Sequence, residues 1–227
     1  MQKVVVIDFA GTLIREEALH EANMFRSNVL QRSLPTTHEH AHEEELYSNN
    51  QQRVEKLTGI TAEHNILYTY VTGRQTTLTG EEIQNQIATT LFQIGMYETA
   101  KKHKENVFVE GILDVLYELK RRGYSLAIMS GVRTDIISGV LEMTETSDLF
   151  EYVLGQPPQL GITNKELLTA LQEEADIQYV IGDKSTDLQP AKELEATSIF
   201  VTWGTPRGDE EADHTINKPE ELLNIIT

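Results

Sequence analysis

The segment that most constrains the fold is Lys3-Val4-Val5-Val6-Ile7, an unbroken β-branched run that stops at once in Asp8. A strand with one wet face alternates apolar and polar residues. This one does not, so both of its faces must be covered, as in a central strand of a parallel sheet. The polar, turn-forming Asp8-Phe9-Ala10-Gly11-Thr12-Leu13 that follows then lies at the rim of that sheet.

Beyond Asn106 the chain alternates strand and helix patterns. An amphipathic helix is expected over 110–122 (Ile112, Leu113, Leu116, Leu119), stopped by Gly123. A strand at 124–129 ends in Ser130-Gly131, and a helix over 133–143 follows. Next come a short strand at 151–154, the loop Gly155-Gln156-Pro157-Pro158, and a helix over 164–174. The strand Tyr179-Val180-Ile181 ends in Gly182-Asp183. A helix near 187–195, strands at 198–201 and near 214–216, and a helix from Pro219 complete the pattern. Such alternation specifies an α/β fold with a doubly wound parallel sheet, whose ligands sit beyond the carboxyl ends of the strands.

Residues 15–104 differ in texture: polar, rich in Glu and Gln, with apolar residues at helical spacing and no strand signal as strong as the first. Ala18, Ala22, Phe25, Val29 and Leu30 mark one helix. Leu46, Val54 and Leu57 lie on a second stretch, and Ile83, Ile87, Leu91 and Ile94 on a later one, with Thr79 as its cap and Glu82 three residues on. The expectation is a core domain of residues 1–14 and 105–227 interrupted by an all-helical inserted domain over 15–104.

Nineteen Lys and Arg against 36 Asp and Glu leave a formal charge of −17, which argues against binding to nucleic acid or an anionic membrane. A solvated acidic face is the simplest interpretation; screening by a salty cytoplasm is the alternative. The absence of cysteine excludes disulfides, thiolate nucleophiles and Cys-ligated zinc. With no membrane-span-length apolar run and no signal-peptide layout, a soluble cytoplasmic protein is the expectation.

Three expected strands end in polar side chains: Asp8, Ser130 and Asp183, and Lys165 opens the helix between the last two. An ionised carboxylate at a strand end cannot donate, so it serves as a cation ligand or a nucleophile. Converging carboxylates repel one another, and a hard divalent cation such as Mg²⁺ is the usual remedy. A serine hydroxyl and a lysine ammonium supply donors for phosphoryl oxygens. Metal-assisted phosphoryl transfer fits this set.

These residues carry a resemblance to the haloacid dehalogenase-like (HAD) superfamily along nearly the whole chain. Asp8-Phe9-Ala10-Gly11-Thr12-Leu13 resembles its motif I and Ile128-Met129-Ser130-Gly131 its motif II. Lys165 in Thr163-Asn164-Lys165-Glu166 resembles motif III, and Gly182-Asp183-Lys184-Ser185-Thr186-Asp187 motif IV. The resemblance implies a Rossmann-like core with a helical cap at the first insertion point, closing over the strand ends. It implies Asp8 as the nucleophile that forms an aspartyl-phosphate, and Mg²⁺ held by Asp8, the Ala10 carbonyl and Asp183, with Asp187 supporting or ligating. Ser130 and Lys165 would hold the phosphoryl group, Gly131 would adjoin it, and Gly11 and Thr12 would shape the approaching loop. The implied substrate is a small phosphorylated metabolite.

Ala10 departs from that pattern. Most HAD phosphatases have a second aspartate here, which protonates the leaving oxygen and later activates water. General acid–base catalysis is worth ~10²–10⁴-fold, and alanine supplies none. Three interpretations follow: a phosphatase that manages without this acid; a phosphonoacetaldehyde hydrolase-like enzyme, since that branch shares Asp-x-Ala-Gly-Thr, acting on a phosphonate through an imine on Lys56, Lys101, Lys102 or Lys104; or a binding or regulatory protein on the same scaffold with weakened catalysis.

Other features are weaker. His38 and His42 would share a helix face as a metal pair, though no third ligand is evident. Lys101-Lys102-His103-Lys104 suits a helix C-terminus. Arg74 is the insert's best candidate for substrate contact. Trp203-Gly204 reads as a packing and turn feature.

Overall fold

A computed structural model describes residues 1–32, 55, 65–69, 75–156, 164–204 and 211–227. In chain order the elements are β1 (Lys3–Asp8), α1 (Glu16–Arg32), β2 (Asn65–Thr69), β3 (Gln75–Thr79), α2 (Gly80–Lys102), α3 (Ile112–Arg121), β4 (Ser125–Arg133) and α4 (Thr134–Met143). They continue with β5 (Tyr152–Gln156), α5 (Asn164–Gln172), β6 (Asp176–Gly182), α6 (Ser185–Glu193), β7 (Thr197–Val201), β8 (His214–Ile216) and α7 (Leu222–Ile225).

Six strands form one parallel sheet in the order β5-β4-β1-β6-β7-β8, with β1 central as its apolar run requires. Val4 and Val6 enter a cluster with Leu168 and Leu171 of α5 and Ala191 of α6. Val5 and Ile7, pointing to the opposite face, are equally buried. The sheet is therefore covered on both sides, a doubly wound α/β architecture. The order reverses at β1: β4 and β5 lie on one side, β6 to β8 on the other. The crevice at such a reversal is where ligands bind in these sheets, and Asp8 ends the strand that forms it.

Gly123, at φ 91°, ends α3 as expected, its N–H donating to the Lys120 carbonyl at 2.9 Å. β4 runs to Arg133, four residues past the expected end, because the chain re-pairs with β5 at Arg133 and Gln156 after an irregularity beyond Ser130.

The described chain divides into two compact units, Met1–Leu19 with Thr99–Thr227, and His20–Glu98. Within the second unit α1 and α2 touch where Gly95 leaves no room for a Cβ against the Ala22 backbone. Thr79 and Glu82 form a reciprocal cap: Glu82 N–H donates to Thr79 Oγ1 at 3.2 Å, and Thr79 N–H to Glu82 Oε2 at 2.7 Å.

The insert is not all-helical. β2 and β3 pair antiparallel, Leu67 opposite Thr77 and Tyr68 opposite Thr76. The cause is legible in composition: Ile66, Leu67, Tyr68 and Thr69, then Thr76, Thr77, Leu78 and Thr79 are β-branched, aromatic or apolar residues suited to a pleated pair. The stretch marked by Leu46, Val54 and Leu57 lies outside the described residues, Glu55 excepted. On α2, Ile83, Ile87 and Leu91 of the expected apolar stripe are half-buried and Ile94 is exposed, while Gln84 and Gln93 are buried.

Candidate active site

Three carboxylates meet at the sheet's carboxyl rim. Asp8 ends β1, Asp183 follows β6 directly, and Asp187 lies in the first turn of α6. All three are buried, and one oxygen from each lies within 4.8 Å of the others. Register explains the meeting. Ile7 pairs with Ile181, so Asp8 and Asp183 leave neighbouring strands at the same edge, and one helical turn carries Asp187 back over Gly182.

Glycines make the approach close enough. Gly11 has φ 102°, a conformation that favours glycine, and a Cβ there would strike Asp183 Oδ2. A Cβ on Gly182 would lie 2.6 Å from the Asp187 Cβ. The loop of motif I is wound tightly, with the Phe9 carbonyl accepting from Leu13 N–H at 3.1 Å and Ile14 N–H at 2.9 Å. Thr12 is fully buried.

Like charges this close cannot all ionise in a dry site without a cation; at ~4 Å and an effective dielectric near 20, one pair costs about 4 kcal/mol. Burial first, then the charges of Asp187 and Asp183, push the Asp8 carboxyl well above its ordinary range. Burial and Asp183 push Asp187 up to about 6. Lys184 opposes both shifts, its Nζ lying 3.7 Å from Asp183 Oδ1.

Hard oxygen donors suit a hard cation, and the buried Asp8 Oδ2 has no hydrogen-bond partner. These residues fit Mg²⁺.

Ser130 stands at the end of the neighbouring β4, one residue beyond the Asp8–Met129 register pair. It is buried, and its Oγ accepts from Val132 N–H at 3.3 Å, which orients the hydroxyl. Beside it, a Cβ on Gly131 would meet open space. Ala10 is half-buried in the turn after Asp8. Lys165 stands apart from this group in its contacts. Its side chain is 59% exposed and its ammonium lies 2.5 Å from Glu193 of α6. Arg74, His38, His42, Lys56 and Thr163 lie outside the described residues.

Trp203 and Gly204, read from sequence as packing, belong to this site. Trp203 Nε1 donates to the Thr12 carbonyl at 3.0 Å, tying the loop after β7 to motif I. A Cβ on Gly204 would lie 2.5 Å from both Asp183 Oδ2 and the Gly11 carbonyl. The signal was position: Trp203-Gly204 also follows a strand end. A cavity of about 710 Å³, lined by Arg15, Phe108, Gly111 and Trp203 among others, does not have the three carboxylates in its walls.

Comparison with known proteins agrees with this class of fold. The haloacid dehalogenase-like hydrolase family profile matches residues 27–201, and the chain belongs to that family. The match begins after the Asp8–Leu13 segment. A phosphoglycolate phosphatase of Aquifex aeolicus is 22% identical over 119 residues, 49% of this chain and 55% of that protein. The chain spans little more than half the length of the curated relatives it matches. The structure of a predicted phosphoglycolate phosphatase from Haemophilus somnus is similar over 100% of this chain and 98% of that one, at TM-score 0.66 and 18% identity. The HAD-hydrolase YfnB of Bacillus subtilis, solved bound to magnesium, is similar over 100% and 99%, at TM-score 0.61 and 14% identity.

Proposed function

We propose that this chain is a Mg²⁺-dependent phosphatase of a small phosphorylated metabolite, working through an aspartyl-phosphate on Asp8. The observation that carries this is the meeting of Asp8, Asp183 and Asp187 at the sheet rim with Ser130 beside them. Asp8, the Ala10 carbonyl, Asp183 and Asp187 would hold the ion, as YfnB's bound magnesium supports for the family. Bound there, Mg²⁺ offsets the carboxylates and polarises phosphoryl oxygens.

Asp8 attacks phosphorus, forming the Asp8–phosphorus bond while the ester P–O bond breaks and the leaving oxygen departs with its electron pair. Water then attacks phosphorus, regenerating Asp8 and releasing inorganic phosphate. Ser130 Oγ, the N–H of Gly131 and the Gly11–Thr12 loop position the phosphoryl oxygens. Ala10 protonates nothing, so substrates with good leaving groups react first. The relatives' activity makes 2-phosphoglycolate the first substrate to try, with residues 15–104, Arg74 included, supplying selectivity.

Ala10 also suits carbon–phosphorus cleavage through a lysine imine. That chemistry wants a desolvated lysine, and among the described candidates Lys101, Lys102 and Lys104 are exposed, which favours phosphate-ester hydrolysis. A panel of phosphate esters and phosphonoacetaldehyde, with Mg²⁺ and with chelator, tests it. Metal-dependent phosphate release abolished by Asp8→Asn is expected. Release that persists in chelator, or in Asp8→Asn, would contradict it.

A further inference from the structure

We propose that Lys184, and not Lys165, is the cation of this site: it offsets the carboxylate charge and holds the transferring phosphoryl group. This rests on the phosphatase assignment above. Lys184 lies between Asp183 and Asp187 in sequence and caps α6 with an extended backbone, φ −138° and ψ 150°. Its carbonyl accepts from Asp187 N–H at 3.0 Å, so the backbone that carries the ammonium also fixes the carboxylate. The ammonium stands 3.7 Å from Asp183 Oδ1, beyond hydrogen-bond length but within ion-pair range, and the side chain is 38% exposed. It is thus near the acids without being locked to them, and free to turn toward a phosphoryl oxygen.

Lys165 has the opposite setting. It begins α5 with its ammonium on Glu193, both side chains mostly exposed, and among the described residues Lys184 is the cation whose charge acts on both Asp8 and Asp187. Charge counting gives the same assignment. Three carboxylates and one divalent ion leave a site with one net negative charge, which repels a phosphate dianion; one ammonium removes that excess. The chain therefore keeps the cation that a phosphoryl-transfer site needs, but carries it on the α6 cap.

The two ligands respond in opposite directions, and that makes the test specific. Calorimetric titration of the full chain with Mg²⁺, and of the Mg²⁺-loaded protein with inorganic phosphate, should show two changes in Lys184→Met. Mg²⁺ should bind two- to tenfold tighter, because a positive charge beside Asp183 is gone. Phosphate should bind at least tenfold weaker. Lys184→Arg, which keeps the charge, should hold phosphate within about fivefold, and Lys165→Met should leave both constants within twofold. A misfolded Lys184→Met could not bind Mg²⁺ more tightly, so the metal arm also reports on folding. Loss of Mg²⁺ affinity in that variant, unchanged phosphate affinity, or the phosphate loss appearing in Lys165→Met instead overturns the assignment alone. Wild-type protein that binds neither ligand overturns the phosphatase assignment and this one with it.

Discussion

The backbone of Gly204 lies against the side chain of Asp183 so closely that no Cβ fits between them. The loop after β7 is therefore a wall of the carboxylate cluster, clamped from the other side by the Trp203 bond to Thr12. Gly204→Ala must push Asp183 or Gly11 aside. Overpacking of this kind costs ~1–3 kcal/mol. Mg²⁺ affinity should fall about tenfold or more, since a displaced carboxylate no longer faces Asp8. Titration calorimetry with a parallel denaturant melt checks both; unchanged Mg²⁺ affinity would show that Asp183 does not depend on this contact.

The carboxylates also set how stability varies with pH in metal-free protein. Asp187 is raised from its ordinary 3.8 to about 6, so between those values the folded chain holds a proton that the unfolded chain has released. Stability therefore falls as pH rises through this window and is lowest above it. Asp8, raised for the same reasons, adds in the same direction. Asp213, held below its ordinary range by the Ser198 N–H and hydroxyl, loses its contribution as pH falls and acts on the acid side of the window. In chelator the thermal midpoint should be several degrees higher near pH 5 than near pH 7.5, and saturating Mg²⁺ should shrink the gap by binding the ionised form. A midpoint that rises steadily from pH 5 to 7.5 in chelator would contradict this.

Ala10→Asp should act according to leaving group. An added carboxylic acid protonates a departing alkoxide, so turnover of alkyl phosphates should rise by up to ~10²-fold, within the range for a positioned acid. Aryl esters whose phenolates leave unaided should gain less in the first step. Values of kcat/KM across a series of graded leaving groups, which report the first step, measure the slope, which should flatten in the variant. A uniform loss across the series, with borohydride trapping an adduct from phosphonoacetaldehyde, would point instead to a lysine imine.

Much of this was legible in the sequence because local pattern and tertiary demand agree there. The unbroken Val4–Ile7 run announces a central strand, Gly123 a helix end, and Thr79 with Glu82 a helix start, and each is found so. The meeting of Asp8 and Asp183 followed from placing acids at strand ends in one parallel sheet, while Asp187 entered through the resemblance to motif IV. What failed depends on packing that periodicity does not encode. The β2–β3 hairpin is short, and its residues were outweighed by the helical texture around it. Gly204 was read only as part of a packing and turn feature, because its approach to Asp183 and the Gly11 carbonyl joins strand ends that local pattern does not connect.

A first-turnover experiment tests the Asp8 phosphatase assignment most directly. With p-nitrophenyl phosphate the first step needs no acid, but hydrolysis of the aspartyl-phosphate still lacks the base that Ala10 cannot provide. Rapid mixing of Mg²⁺-loaded protein with this ester should give a burst of nitrophenolate of one equivalent per chain, followed by slow turnover. Quenched samples should carry one phosphoryl group on Asp8 by peptide mass spectrometry. Ala10→Asp should shorten the burst by speeding the second step, and Asp8→Asn should abolish burst and label together. Phosphate release with neither burst nor label on Asp8, or a burst that survives Asp8→Asn, would contradict the role assigned to that carboxylate.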